Sequence, residues 1–218
     1  MPVFFQHIID HNTRIGIWKI EESEEFFSGT VPSQRNVTHP VKRLQHLAGR
    51  FLLKYLFPDF PYELIKIADT KKPYLPDEQF HFSISHCGDY AAAIVSRDKR
   101  VGIDIEIPVA KIEKIKHKFL TVKEIEIFNV NEGSSGNHSP FTNHHSTLSI
   151  QHLTLLWSCK ESVYKWYGNG GVDFREQIQL RKNSADSEII NCLFTKTGDE
   201  LIIHYKEFKK IVLTWVAN

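Results

Sequence analysis

Two acidic side chains stand two positions apart in an otherwise apolar segment, from Gly102 to Glu106. If this segment is a β-strand, the alternation of side chains places Asp104 and Glu106 on one face together with Gly102. Two carboxylates held that close repel each other unless a cation lies between them, and their oxygen atoms suit magnesium, which shares its remaining positions with water and phosphate. The spacing indicates a divalent-cation site where Gly102 would let a phosphate approach the backbone. A half-exposed strand with polar residues turned to solvent explains the same spacing.

A second candidate group lies between Trp157 and Lys165, in a segment with helical periodicity. Its predicted buried stripe consists of Leu156, Cys159, Val163 and Trp166. Glu161 and Lys165 then share the opposite face, four residues apart. As a surface ion pair they would contribute only about 0.3 kcal/mol, which accounts for the spacing without any function. The functional alternative makes Glu161 a third oxygen ligand or a proton acceptor, and Lys165 a phosphate contact.

A third group ends a predicted strand that runs from Phe82 to His86. A hydroxyl at Ser85 and an imidazole at His86, placed just before a turn, are able to donate hydrogen bonds to a phosphate. The pattern is common, and a strand end followed by a turn explains it equally well. No acidic position can be identified that would complete a Ser-His-Asp hydrolase triad.

Composition restricts the class of protein. The chain has 218 residues, 41% of them hydrophobic, with 27 basic and 26 acidic side chains. The near-zero charge gives no overall attraction to nucleic acid or to an acidic membrane. No apolar run approaches about 18 residues, and the N-terminal stretch lacks the features of a signal peptide, so a cytoplasmic location is expected. Three widely spaced cysteines favour reduced thiols over disulfides or structural zinc.

Periodicity predicts the elements that position these groups. Predicted helices lie at 40–56, ended by Pro58, and at about 153–167, and predicted strands lie at 15–20, 80–84, 90–96, 101–107, 188–194, 201–205 and 210–215. The segment at 131–150 is polar and without periodicity, as expected of an exposed loop. Each half of the chain supplies one long helix and several strands, which favours a two-lobed α+β architecture.

Taken in order, these segments resemble the signatures of the Sfp-type 4′-phosphopantetheinyl transferases. The family patterns KP-x-hydrophobic-P, F-x-[ST]-S-H, G-[IV]-D-[IV]-E and W-[ST]-x-K-E-[SA]-x-x-K correspond here to Lys72–Pro76, Phe82–His86, Gly102–Glu106 and Trp157–Lys165. The four matches span Lys72 to Lys165, and the tail after about Phe174 carries none.

The resemblance implies a fold and an activity. It implies two similar lobes related by a pseudo-twofold axis, at 1–100 and 101–218, with coenzyme A in the cleft between them. It further implies a magnesium-dependent enzyme that moves the phosphopantetheine arm of coenzyme A onto a serine of an apo acyl or peptidyl carrier protein and releases 3′,5′-ADP. Since both lobes are in one chain, a monomer is expected.

The resemblance also assigns roles to individual side chains. Magnesium would be held by Asp104, Glu106 and Glu161, and catalysis would involve Glu161, Lys165 and Asp104. Coenzyme A would be bound by Lys72, Ser85, His86, Lys165 and Arg43, with Arg43 at its 3′-phosphate.

A basic stretch beside the magnesium strand is a candidate docking surface for an acidic carrier protein. It comprises Lys111, Lys114, Lys116, Lys118 and Lys123, together with Phe119 and Leu120. A solvated lysine-rich helix face is the alternative, since neighbouring glutamates dilute the charge. Two other functions also stay open: a non-catalytic coenzyme A or carrier-protein binding module, and a magnesium-dependent nucleotide phosphohydrolase.

Overall fold

A computed structural model of the protein describes residues 3–31, 37–129, 148–183, 186 and 188–218. The strands of this part are β1 (Val3–Ile8), β2 (Thr13–Lys19), β3 (Lys66–Ile67), β4 (Pro73–Tyr74), β5 (His81–Cys87), β6 (Tyr90–Ser96), β7 (Val101–Glu106), β8 (Ile178–Lys182), β9 (Ile189–Phe194), β10 (Asp199–Glu207) and β11 (Val212–Ala217). The α-helices are α1 (Glu24–Ser28), α2 (Pro40–Leu56), α3 (Lys111–Ile115), α4 (Val122–Asn129) and α5 (Ile150–Tyr167), and short 3-10 turns lie at Tyr62–Leu64 and Lys116–Lys118. The mixture confirms the α+β class.

The first part of the chain forms an antiparallel sheet in the order β1-β2-β6-β5, with α2 packed against it. The helix α2 has the bounds predicted from periodicity because both of its ends carry local signals. His39 caps the start by accepting a hydrogen bond from the backbone of Lys42 (3.5 Å), and Pro40 occupies the first turn. Its apolar face, including Leu52 and Leu53, is fully buried.

The second part forms an antiparallel sheet in the order β7-β11-β10-β9-β8, covered by α5. This helix begins three residues before the predicted start, because the Ser149 hydroxyl accepts a hydrogen bond from the backbone of His152 (3.1 Å) and caps it. Gly168 ends it in the left-handed conformation, with φ of 75°. The predicted loop at 131–150 otherwise lies outside the described residues.

The two sheets share an apolar core. Ile15, Ile17 and Ile94 of the first sheet pack with Ile103 and Ile105 of the second, so the predicted one-sided apolar face of β7 is confirmed. The first sheet uses residues up to Ser96 and the second begins at Val101. The division at 100/101 and the pseudo-twofold axis nevertheless stay predictions. In the described part of the chain, no helix has the length and apolar character needed to span a bilayer.

Gly102 lets α5 pack closely against β7. Its position in the sequence had suggested that a phosphate would approach the backbone there. A Cβ atom built on it would lie 2.1 Å from the Ser162 carbonyl oxygen and 2.5 Å from the Trp166 nitrogen, both backbone atoms of α5. Neither atom can yield without moving the helix. The strand that carries Asp104 therefore touches α5 backbone to backbone, which brings the two predicted site segments together.

Replacing Gly102 by alanine is expected to lower the free energy of unfolding by about 3 kcal/mol, because strand and helix must separate to admit the methyl group. Urea unfolding measures the change. Gly29→Ala is the matched control, since Gly29 has φ of −67° and its built Cβ meets nothing nearer than 3.8 Å. Equal stabilities of the two variants would contradict the proposed close packing.

Candidate active site

Asp104 is the centre of the site. Its side chain is buried, and its Oδ1 accepts hydrogen bonds from the Ser85 hydroxyl (2.8 Å) and the Lys165 ammonium (2.6 Å). Its Oδ2 accepts a bond from the Ser158 hydroxyl (2.9 Å). Three segments that are distant in sequence, β5, β7 and α5, therefore meet at one carboxylate. Ser158 was not predicted from the sequence as a site residue, although its place three residues before Glu161 on the same helix was a usable signal.

The serines of β5 attach that strand to β7. The Ser83 hydroxyl accepts a hydrogen bond from the Ile103 backbone nitrogen (3.2 Å), and two residues further on Ser85 donates to Asp104. Lys165 in turn donates to the Ser85 hydroxyl (2.8 Å). The alternating serines thus supply side-chain bonds where the two sheets meet. The predicted contact of Ser85 with coenzyme A stays a prediction, since its hydroxyl bonds here to side chains of the site.

Glu106 lies two residues further along β7 and is half-buried. Its carboxylate accepts hydrogen bonds from the Trp157 indole nitrogen (3.4 Å) and the Cys87 thiol (3.5 Å). Burial raises the pKa of Glu106, and the negative charge of Asp104 raises it further. The two carboxylates therefore interact electrostatically, as their spacing on the strand predicted.

Glu161 faces the same region from α5. The pKa of this carboxyl is raised from 4.5 to about 7, chiefly by burial and also by the charges of Asp104 and Glu106, while Lys165 opposes the shift. The structure thus brings the three predicted acids into electrostatic contact. With this pKa, Glu161 is partly protonated at neutral pH when no cation is bound.

The chemistry of this set fits a divalent cation. Three carboxylates stand against the single ammonium of Lys165, and the mutual repulsion of the acids is what a cation with two charges would relieve. Within the described ranges, no group of three or more His, Cys, Asp or Glu side chains surrounds a common point as they stand. Binding a metal would require side-chain movement, with Asp104 sharing its oxygens between the metal and its present partners.

A small cavity opens beside Lys165 between the two halves of the chain. It has a volume of about 220 Å³ and is lined by Thr70, Lys72, Pro73, Phe82, Tyr164 and Lys165, among others. The Lys72 ammonium donates to the Lys165 carbonyl oxygen (2.6 Å), at the end of α5, where the helix dipole attracts a cation. Burial, together with the charge of Arg100, lowers the pKa of Lys72 to about 8. Lys72 is therefore placed between the helix end and the cavity.

His86 carries an unused hydrogen-bonding atom. Its Nδ1 is buried and has no hydrogen-bond partner among the described residues, and its ring packs edge-on against His46 at 5.6 Å. Burial lowers the pKa of His86 to about 4, with the charge of Lys42 contributing, so the ring is neutral at pH 7. A buried imidazole nitrogen without a partner is costly, which fits a residue that awaits a ligand. Lys42 and His46, which α2 places beside His86 at helical spacing, were not predicted from the sequence.

Arg43, the predicted 3′-phosphate contact, is not brought to the Asp104 group. Its guanidinium forms an ion pair with Glu24 (2.7 Å) and donates to the Val37 carbonyl oxygen (3.2 Å). Its assignment to coenzyme A stays a prediction.

The predicted docking surface needs one correction. Phe119 and Leu120 are 0% and 2% exposed, because the turn after α3 directs them into the core of the second sheet. They are unavailable to a partner. Most of the predicted lysines are exposed, namely Lys111, Lys114, Lys118 and Lys123, and Lys116 is half-buried.

Acidic side chains gathered around a lysine that borders a cavity are typical of enzymes that act on phosphate esters with a divalent cation. A sequence model described as the 4′-phosphopantetheinyl transferase superfamily matches residues 100–216, just over half of the chain. The chain belongs to this superfamily. The match includes the segments around Asp104 and Glu161, and it confirms the resemblance inferred from the four motifs.

Individual relatives agree with the family. The chain is 27% identical to enterobactin synthase component D of Escherichia coli (strain K12) over 179 residues, 79% of this chain and 76% of that protein. It is 33% identical to enterobactin synthase component D of Salmonella austin over 129 residues, 59% and 49% of the two chains. With 4′-phosphopantetheinyl transferase AcpT of Escherichia coli (strain K12) the identity is 26% over 129 residues, 58% of this chain and 59% of that protein.

Proposed function

We propose that this chain transfers the phosphopantetheine arm of coenzyme A to a serine of an apo carrier protein and releases 3′,5′-ADP. Membership of the superfamily supports the transferase reaction. The observation that carries the proposal is the meeting of three family segments at one carboxylate, where Ser85, Ser158 and Lys165 all bond to Asp104. A single strand or helix could not assemble this group, so a chance match of motifs would not produce it.

In this proposal magnesium is held by Asp104, Glu106 and Glu161. When bound, it would neutralise diphosphate charge and polarise the phosphorus that carries the arm. Charge balance supports the assignment, because the three acids face the ammonium of Lys165 and together exceed its charge. The proposal requires Lys165 to share Asp104 with the cation or to leave it for the phosphate.

The protein side chains then have separate tasks. The serine oxygen of the carrier forms a bond to the phosphorus of the arm, and the bond from that phosphorus to the oxygen of 3′,5′-ADP breaks. Lys165 offsets the negative charge that gathers on the 5′-phosphate of the leaving 3′,5′-ADP. Glu161 accepts the serine proton, and its pKa of about 7 in the free protein makes it a better acceptor than an ordinary carboxylate. A bound cation would lower this pKa, so proton transfer late in a loose transition state still suits the site.

The nucleotide end of coenzyme A would lie against the small cavity beside Lys165. Lys72 lines this cavity and would contact the nucleotide end there. His86 is not among the lining residues, so it would contact a part of the ligand that extends beyond the cavity, through its Nδ1, with Ser85 nearby and Arg43 at the 3′-phosphate after release from Glu24. Two observations support this placement: three lysines line the cavity, namely Lys71, Lys72 and Lys165, and the Nδ1 of His86 has no partner in the described part of the chain.

The test is incubation with coenzyme A, magnesium and a panel of apo acyl and peptidyl carrier proteins, followed by intact mass measurement of each carrier. A gain of one arm by at least one carrier is the expected result. Release of phosphopantetheine in the absence of a carrier would favour a phosphohydrolase. Coenzyme A binding without either product would favour a non-catalytic module, and either outcome would end the proposal.

The carrier would dock on the basic surface formed by Lys111, Lys114, Lys118 and Lys123. Val109 and Val122, which are 53% and 65% exposed, border it and replace the buried Phe119 and Leu120 as its apolar part. The surface follows directly after β7, so a docked carrier would present its serine near Glu106. Charge complementarity with an acidic carrier supports this placement.

Changing Lys111, Lys114 and Lys118 together to glutamate is expected to raise the KM for the carrier about 10-fold, because complementary charge becomes repulsion. The KM for coenzyme A should not change. A variant with the same change of charge at three other exposed residues, Lys54, Lys66 and Arg181, is the control. Steady-state kinetics at low ionic strength compares the two variants, and equal carrier KM values would remove the docking proposal.

Two further properties belong to the proposal. Cys87, Cys159 and Cys192 are all free thiols, which supports a reducing compartment and hence the cytoplasm. A monomer suffices, because the groups that meet at Asp104 all come from one chain.

A further inference from the structure

Lys160 precedes Glu161 in the helix but points the opposite way, into the core. Its side chain is 0% exposed and its ammonium lies 2.7 Å from Glu124 Oε1 in α4, whose side chain is 4% exposed. Burying two charges is unfavourable unless every donor and acceptor around them is paired. Such a pair therefore depends on the groups to which it bonds.

Both partners make further hydrogen bonds besides their ion pair. Glu124 Oε1 also accepts from the Leu180 backbone nitrogen (3.0 Å), and Oε2 accepts from the backbone nitrogen (2.8 Å) and hydroxyl (3.0 Å) of Thr121. The Lys160 ammonium donates a second bond to the Phe174 carbonyl oxygen (2.9 Å). The pair thus joins α4, α5, β8 and the segment that follows α5.

The bond to Phe174 continues into the candidate active site through aromatic packing. The Phe174 ring lies against Trp157 at 5.5 Å and Tyr164 at 5.3 Å, both on α5. Phe119 packs edge-on against Trp157 at 5.1 Å. The indole nitrogen of Trp157 then donates to Glu106. One continuous set of contacts therefore leads from the Lys160 ammonium to a carboxylate of the site.

We infer that Lys160 is a positioning residue, which fixes Phe174 and through it the Trp157 indole that orients the Glu106 carboxylate for the cation. The effect on activation by magnesium rests on the proposed function. The orientation of Trp157 by Lys160 and Phe174 rests on the contacts alone. Groups that orient a metal ligand typically change metal affinity 10- to 100-fold when they are removed. The expected consequence is therefore weaker activation by magnesium, and not a loss of coenzyme A binding.

The test separates positioning from stability. Lys160→Met alone leaves Glu124 buried without a counter-charge and is expected to lower the melting temperature strongly. Adding Glu124→Gln removes that charge, keeps an acceptor for Leu180 or Thr121, and should restore most of the melting temperature. The double variant still lacks the bond to Phe174, so its activation constant for magnesium should be about 10-fold higher than that of the wild type.

A readout independent of activity is the indole N–H resonance of Trp157, assigned by its loss in Trp157→Phe. It should shift in the double variant, and also in Phe174→Leu, which keeps the bond from Lys160 but loses the ring contacts. Tyr62→Phe is the control, because it removes a buried hydroxyl in the first half of the chain. It should lower stability without moving this resonance or the activation constant.

The inference would be overturned if the double variant showed the same Trp157 resonance and the same activation constant for magnesium as the wild type. If the double variant does not fold, the same result in Phe174→Leu would overturn it. The resonance is measured on the free protein. If the wild type transfers no arm, the proposed function fails, and the resonance alone decides on the positioning role of Lys160.

Discussion

Replacing Asp104 by asparagine is expected to reduce kcat for arm transfer about 10³-fold while the protein stays folded. The side chain keeps its volume and can still form hydrogen bonds with Ser85 and Ser158, whose hydroxyls donate or accept. What is lost is the negative charge that pairs with Lys165 and would face the cation. Asp104→Ala should be as inactive and less stable, since it leaves those buried hydroxyls without a partner.

Arm transfer is measured by the mass gained by the carrier, and folding by thermal unfolding. Glu113→Gln is the matched control, because it neutralises an exposed carboxylate in the nearby helix α3. Its rate should equal that of the wild type. A folded Asp104→Asn variant with more than about a tenth of wild-type activity would contradict the central role given to this carboxylate.

Local patterns were sufficient where the deciding contacts are local. The helix α2 has its predicted bounds because caps and periodicity lie within the same segment. The alternation in β7 placed Asp104 and Glu106 on one side and the isoleucines on the other, as the shared core confirms. By contrast, β1 was not predicted, because as an edge strand most of its side chains are exposed and leave no clear alternation.

Where tertiary contacts decide, the sequence alone was misleading. The glycine at position 102 lets another group come close to the strand backbone, as predicted, but that group is the backbone of α5 and not a phosphate. Phe119 and Leu120 lie among exposed lysines in the sequence, yet the turn after α3 buries them. Lys160 lies on the apolar face of α5, four residues after Leu156. A charged residue is not expected to be buried there, and its partner Glu124 lies 36 positions away, so the sequence did not indicate the pair.

The buried carboxyl of Glu161 should make the protein less stable as pH rises. Its pKa is about 7 in the folded protein and has the ordinary value of 4.5 when the chain is unfolded. Between these values the folded state binds more protons than the unfolded state, so stability is greatest below pH 4.5 as far as this group is concerned, and is lost as pH rises to 7. Above pH 7 the folded protein carries the full penalty of a desolvated charge beside Asp104 and Glu106.

Glu161→Gln is therefore expected to abolish arm transfer and yet stabilise the cation-free protein at pH 8 by about 3 kcal/mol, since glutamine carries no charge at any pH. At pH 4.5 the two proteins should be nearly equal in stability. Urea unfolding at both pH values, in the presence of a chelator, measures the difference, with Glu126→Gln on the exposed side of α4 as the control that shows none.

Added magnesium should reverse the order of stability of the wild type and Glu161→Gln at pH 8. A cation that binds the folded state of the wild type stabilises it in proportion to the logarithm of concentration over Kd, and the glutamine variant lacks one of the three charges that would hold it. Wild-type stability at pH 8 should therefore rise with added magnesium and approach or pass that of Glu161→Gln. If the variant is no more stable than the wild type at pH 8 without the cation, Glu161 does not carry a buried charge. If magnesium stabilises both equally, Glu161 is not among its ligands, and the site must hold the cation through Asp104 and Glu106 alone.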